Sequence, residues 1–151
     1  MVDIMRDTRT TKVPWHLWGV GLVAVLWNSI GAYDYVMTMY GGMDYLRQAG
    51  MNEAFVAEFE RLPMWMSVAW PVAVWSAVAG SVLLLARSRW AATAFGLSLV
   101  VYLANLAHNF GMSDLGALGG AASIGVAVAV TLSLIFLLWY ARLMAKRGVL
   151  R

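Results

Sequence analysis

From Met64 to Phe110 the only Lys, Arg, Asp or Glu residues are Arg87 and Arg89. No water-soluble core of a chain this short can bury so long an apolar run, because the remaining residues cannot cover it with polar surface. The chain has 151 residues, of which 62% are hydrophobic and only 13% charged. A soluble domain is nearer half apolar and a quarter charged. Lipid is therefore the expected solvent, and an all-α, polytopic membrane fold is the expected class.

Crossing ~30 Å of hydrocarbon takes roughly 20 mostly apolar residues. Four stretches meet that length, at about 15–38, 64–86, 90–110 and 120–142. Arg87-Ser88-Arg89 divides the second from the third, and Gly111 to Gly119 has turn composition. Pro71 is expected to kink the second span, because it lacks the N–H that would bond the Ser67 carbonyl. The first span opens with basic residues but runs into Asn28, Tyr33 and Asp34 rather than a small-residue cleavage site, so it reads as an uncleaved span. The length allows one membrane domain, 1–151.

Orientation follows the Lys and Arg residues of short loops. With the N-terminus inside, Arg6, Arg9, Lys12, Arg87, Arg89, Arg142, Lys146, Arg147 and Arg151 are all inside, and only Arg47 and Arg61 are outside. Asp34, Asp44, Glu53, Glu58, Glu60 and Asp114 fall outside, with Asp3 and Asp7 inside. The reading is a four-transmembrane-helix bundle, N-in/C-in. Its outer loop spans 40–63, where Asn52 caps a short helix whose Phe55, Val56, Phe59 and Leu62 share one apolar face. That helix either lies in the outer interface or caps the mouth of the bundle.

Lipid gives no hydrophobic drive for helices to associate, so small residues and interhelical hydrogen bonds must do it. Ala73, Ala77 and Gly80 supply such a face on the second span, Ala92 and Gly96 on the third, and Ala121, Gly125 and Ala129 on the fourth. These serve packing within one bundle or a homo-oligomer face.

The chemistry is concentrated in few residues. Counting along each helix at 1.5 Å per residue puts Asn28 ~21 Å in, Asp34 ~30 Å, Asn105 ~22 Å and His108 ~27 Å, all in the outer half. Ser98, Tyr102, Asn105 and Asn109 form one polar stripe, which must face protein or water rather than lipid. Two readings follow. Asn28, Asp34, Asn105 and His108, walled by Trp70 and Trp75, line a pocket for a small polar solute. Alternatively they are interhelical bonds and interface anchors, with Asp34 pairing with Arg61. A further reading makes Asp34 and His108 an acid–base pair acting on lipid, which requires hydrogen-bond distance between them.

Several classes are excluded or unsupported. There is no cysteine, hence no thiol chemistry and no Cys-bound metal. His16 and His108 lie at opposite depths and cannot flank one haem within a monomer. No carboxylate sits mid-membrane, and no phosphate loop, metal-spaced cluster or nucleophile–base pattern is present. No basic run suggests nucleic acid. The chain reads as non-enzymatic, with no cofactor or metal. Its expected partners are the bilayer, a second copy of itself or another membrane protein.

Two stretches carry a resemblance. PWHLWGVGLVAVLWNSIGAYDYVMT (Pro14 to Thr38) and LPMWMSVAWPVAVWSAVAGSVLLLARSR (Leu62 to Arg89) resemble small four-helix proteobacterial inner-membrane proteins labelled as sugar transporters. Asn109-Phe110-Gly111 extends the likeness to the third span. Residue by residue, the resemblance falls on Trp15, Trp18, Trp27, Asn28, Gly31, Asp34, Tyr35, Trp65, Trp70 and Trp75. It implies a multi-pass protein of the bacterial inner membrane that acts as a small-solute transporter or a subunit of one. The alternative from size and small-residue faces is an accessory or scaffold subunit of a larger membrane complex.

Overall fold

A computed structural model describes residues 12–151. Arg6 and Arg9, with Asp3 and Asp7, belong to the charge argument but lie outside the described residues. Among those described there is no strand. Six helices follow one another: α1 (Trp15–Gln48), α2 (Glu53–Glu60), α3 (Met64–Leu85), α4 (Trp90–Gly111), α5 (Leu115–Leu118) and α6 (Gly120–Lys146). Four of them, α1, α3, α4 and α6, are long and apolar enough to cross a membrane. Their outward faces are aliphatic, with Leu22, Ile30, Val68, Val100 and Leu132 each more than half exposed. In water such a surface would be an aggregation hazard, whereas in hydrocarbon it is the solvated face.

The long helices pack in chain order, α1 on α3, α3 on α4 and α4 on α6. Two side-chain bonds draw α1 and α6 together, His16 Nδ1 with the Tyr140 hydroxyl at 2.5 Å and Trp27 Nε1 to Ser133 Oγ at 3.1 Å. One end of the bundle holds Lys12, Arg87, Arg89, Arg142, Lys146, Arg147 and Arg151; the other holds every described Asp and Glu. These are called the basic and acidic ends below.

The tight core belongs to the basic half. Leu17, Leu84, Phe95, Leu134 and Met144 are buried there from all four long helices, and Val149 and Leu150 tuck under them. Small residues set the approach. Ala73, Ala77 and Gly80 are buried on α3, as their spacing predicts. The Phe95 ring lies 2.9 Å from where a Gly80 Cβ would stand. By contrast Ala121, Gly125 and Ala129 on α6 are exposed and touch no neighbouring helix at Gly125.

Helix ends follow local chemistry. Ser88 N–H bonds the Leu83 carbonyl and Arg87 N–H the Leu84 carbonyl, closing α3 with Arg87 in the left-handed region (φ 60°). The same pair of bonds closes α6 at Gly148 (φ 70°), where glycine takes that conformation without strain. The chain then returns to the α3–α4 turn, with Arg151 N–H on the Arg87 carbonyl at 2.7 Å and Arg89 N–H on the Arg151 carbonyl at 3.0 Å.

Two departures from the sequence reading matter, at the ends of the first and fourth helices. The first helix does not stop at Thr38. It continues to Gly42, breaks there (φ 56°, ψ −144°), and resumes to Gln48, so much of the expected loop is helical. Composition marks where a chain leaves lipid, and a helix can persist beyond that point. Pro71 lies inside α3, and the marked backbone break of the fold is at Gly42. The fourth helix runs past Arg142 to Lys146. Helix α2 forms as expected, with Asn52 Oδ1 accepting from Phe55 N–H at 2.8 Å. Its apolar face turns onto the bundle, burying Val56 and setting Phe59 against Trp70 at 5.9 Å. Arg47 clamps the start of α2 through both carboxylate oxygens of Glu53 (2.8 and 3.2 Å), which holds the Glu53 carboxyl below its ordinary range.

Candidate functional site

The six residues singled out from sequence do not form one cluster. Asn28 stands apart. Its Nδ2 donates to Ser81 Oγ on α3 at 2.9 Å and to the Ala24 carbonyl on its own helix at 3.0 Å. Ser81 is next to Gly80, which faces Phe95 on α4. Asn28 is therefore near the level of Phe95, ten residues (105 − 95) short of Asn105 along α4, or roughly 15 Å. The equal depth expected for Asn28 and Asn105 does not hold. The cause is the start of α1: Gly21 packs on Leu85, so the first turns of α1 lie below the point where α3 ends. A depth counted from Pro14 is too great by that overhang.

In this position Asn28 joins helices. With Ser98 Oγ on the Ala73 carbonyl at 2.7 Å, it fastens α3 to both neighbours. Asn28→Ala should cost about 0.6 kcal/mol and at most about 1.7 kcal/mol, the range for polar bonds between membrane helices. Unfolding in mixed micelles checks this.

Trp75 is also apart, 48% exposed on the outer face of α3. Asp34 is exposed on α1 and accepts from the Tyr45 hydroxyl at 2.9 Å, not from Arg61, which pairs with Glu58 at 3.8 Å. Tyr45 reaches back because the Gly42 break turns the chain, a contact with no sequence signal beyond the Gly41-Gly42 pair. His108 packs edge-on against Trp65 at 5.6 Å and makes no hydrogen bond with Asp34, so the acid–base reading lacks its required contact.

What remains gathers at the acidic end. Trp70 stands edge-on to Tyr35 of α1 at 5.2 Å and to Phe59 of α2. On α4, Asn105, His108 and Asn109 follow at steps of three and one, so they share a sector of the helix. Asn105 is 8% exposed, and its Nδ2 donates to the Val101 carbonyl at 2.9 Å. That bond fixes the amide, since only the NH₂ can serve a carbonyl. Its Oδ1 is therefore an acceptor, and it has no protein partner. Asn109 Oδ1 and His108 Nδ1 are likewise buried without a protein partner. A buried polar atom left unpaired costs about 1–3 kcal/mol, so three in one place is a large local penalty for packing alone. Two amide oxygens and an imidazole nitrogen suit a hydroxyl-bearing molecule, whose O–H groups both donate and accept. The aromatic rings supply the apolar wall.

Sequence spacing had placed Asn105 and Asn109 on one stripe, but gave no hint of Trp65 beside His108 or of Phe59 beside Trp70. Those contacts depend on how α2, α3 and α4 meet. Among the described residues no group of His, Asp and Glu is arranged to hold a metal ion. Comparison with known protein families, with curated proteins and with solved structures finds no match to this chain.

Proposed function

We propose that the chain is a multi-pass protein of a bacterial inner membrane that binds a small, uncharged, hydroxyl-rich solute at its acidic end, as a transporter or a subunit of one. The observation that carries the reading is the set of unpaired buried polar atoms on Asn105, His108 and Asn109, with the Trp65 ring edge-on to His108. Sugars and polyols offer the hydroxyl donors these atoms lack and the C–H faces that stack on indole. The resemblance to proteins labelled as sugar transporters points the same way. The strong bias of Lys and Arg supports both termini on the cytoplasmic side. On that orientation α2 lies on the outer side of the bundle, with Phe59 against Trp70.

The test is a titration of the chain in nanodiscs with neutral monosaccharides and polyols, read by tryptophan fluorescence and followed by counterflow uptake into proteoliposomes. A saturable change with at least one such solute, together with uptake above empty vesicles, is expected. Flat titrations and no uptake across the panel would reject the reading.

One observation favours the alternative of an accessory or scaffold subunit. The Ala121, Gly125 and Ala129 stripe of α6 is unpacked, and such stripes let helices approach closely. That reading requires a stoichiometric membrane partner in native purification, and a lone monomer would count against it.

A further inference from the structure

At the basic end, Arg142 and Lys146 are one turn apart on α6 and line a groove of about 380 Å³ with Ile135, Leu138, Trp139 and Leu143. Neither cation makes an ion pair or hydrogen bond with a described residue. No Asp or Glu among the described residues lies at this end. The groove changes character along the helix axis, from charge at Lys146 and Arg142 to indole at Trp139 and then aliphatic at Leu138 and Ile135. From Ile135 to Lys146 is 11 residues (146 − 135), or roughly 16 Å. Across the seam α4 presents Gly96, whose missing side chain leaves Leu138 3.8 Å from the position a Cβ would take.

We propose that this groove seats one anionic phospholipid. Its phosphodiester lies between Arg142 and Lys146, and an acyl chain runs up past Trp139 to Ile135. The order of groups in the groove is the order of groups in a lipid: anion-binding, interfacial, apolar. Trp139, more than half exposed, stands at the junction, where an indole meets the headgroup level. A hydrated inorganic phosphate would use the two cations but not the apolar walls. A zwitterionic lipid brings a choline that meets the same positive field. The last turn of α6 is also the negative end of the helix dipole, which disfavours a phosphate. The two side chains must therefore supply all the attraction, and removing them should abolish the preference.

The full chain, purified in mild detergent and offered equal phosphatidylglycerol and phosphatidylcholine, is examined by native mass spectrometry. The unmodified protein should retain phosphatidylglycerol about tenfold over phosphatidylcholine. Arg142→Gln with Lys146→Gln should bring the ratio to about twofold or less. Arg87→Gln with Arg89→Gln removes equal charge from the α3–α4 turn and should leave the preference intact. An unaltered ratio in the α6 pair would overturn the proposal. So would an equal fall in both pairs, which would mean a diffuse charge effect. Inorganic phosphate at millimolar concentration displacing the lipid would show a phosphate site without a lipid groove, and would overturn it too. Should the α6 pair fail to assemble, a second measurement decides. Brominated-chain phosphatidylglycerol should quench wild type more than Trp139→Phe, and brominated phosphatidylcholine should quench both alike; no such difference overturns the assignment.

Discussion

Asn105→Leu is expected to raise the thermal stability of the protein and at the same time weaken solute binding by tenfold or more. The two effects have one origin. Asn105 is almost fully buried, and its Nδ2 serves a carbonyl of its own helix, Val101, which already accepts from the helical N–H. Losing that bond costs little. Losing Oδ1 removes a buried acceptor without a protein partner, a penalty of about 1–3 kcal/mol. Leucine is of similar shape and leaves no cavity, so a net gain of about 1 kcal/mol is expected. In the complex the balance reverses. A solute hydroxyl that donated to Oδ1 would face a methyl group and lose its partner inside a desolvated site. That is about 1.4–3 kcal/mol, or tenfold to more than a hundredfold in affinity. Thermal unfolding in detergent gives the first number and fluorescence titration the second. A variant that melts lower and binds as before would make Asn105 a packing residue and remove the main support for the site. The opposite signs matter, because a residue that only holds helices together cannot improve stability when it is removed.

The limits of the sequence reading have physical causes. The second and third spans were placed within one residue at their ends, because Pro63 and the Arg87-Ser88-Arg89 turn are local signals that act on the backbone directly. The first and fourth were cut short at Thr38 and Arg142, because the charges and glycines there report departure from lipid while the backbone stays helical. The polar stripe of α4 was legible because 3.6-residue periodicity fixes a helix face without any neighbour. Asn28 was misplaced relative to Asn105 because depth along one helix says nothing of its offset against the next. That offset is set by Gly21 meeting Leu85 and Gly80 meeting Phe95, contacts between residues 64 and 15 positions apart (85 − 21 and 95 − 80). Tyr45 beside Asp34 was invisible for the same reason, since it follows from a backbone break only glycine allows.

Gly80→Val is expected to be the most damaging small substitution in the bundle. A Cβ at Gly80 would stand 2.9 Å from two atoms of the Phe95 ring, inside contact distance. Phe95 is fully buried and shares the core with Ala91, Leu137 and Ala141, so the ring has nowhere to go. Valine adds two further methyl groups to the clash. Overpacking of this kind costs about 1–3 kcal/mol, and the upper end is expected where both partners are rigid. Lipid offers no compensating hydrophobic drive, because apolar surface exposed by a separated α3 and α4 is already solvated. Gly21 provides a contrast within the same fold. Its new Cβ would stand 2.4 Å from Leu85 Cδ2 and 2.8 Å from Cγ, but Leu85 is only half-buried and can change rotamer, so Gly21→Ala should cost less than Gly80→Val. Gly125 has no neighbour within 4 Å, and Gly125→Ala should be neutral or slightly stabilising. Unfolding by sodium dodecyl sulfate in mixed micelles ranks the three. Pairing Gly80→Val with Phe95→Leu should recover at least about 1 kcal/mol of the loss, since leucine vacates the space the valine needs. If Gly80→Val unfolds with wild type, or if Phe95→Leu worsens it additively, α3 and α4 do not meet face to face at this level. The offset that sets Asn28 apart from Asn105 would then fall with it.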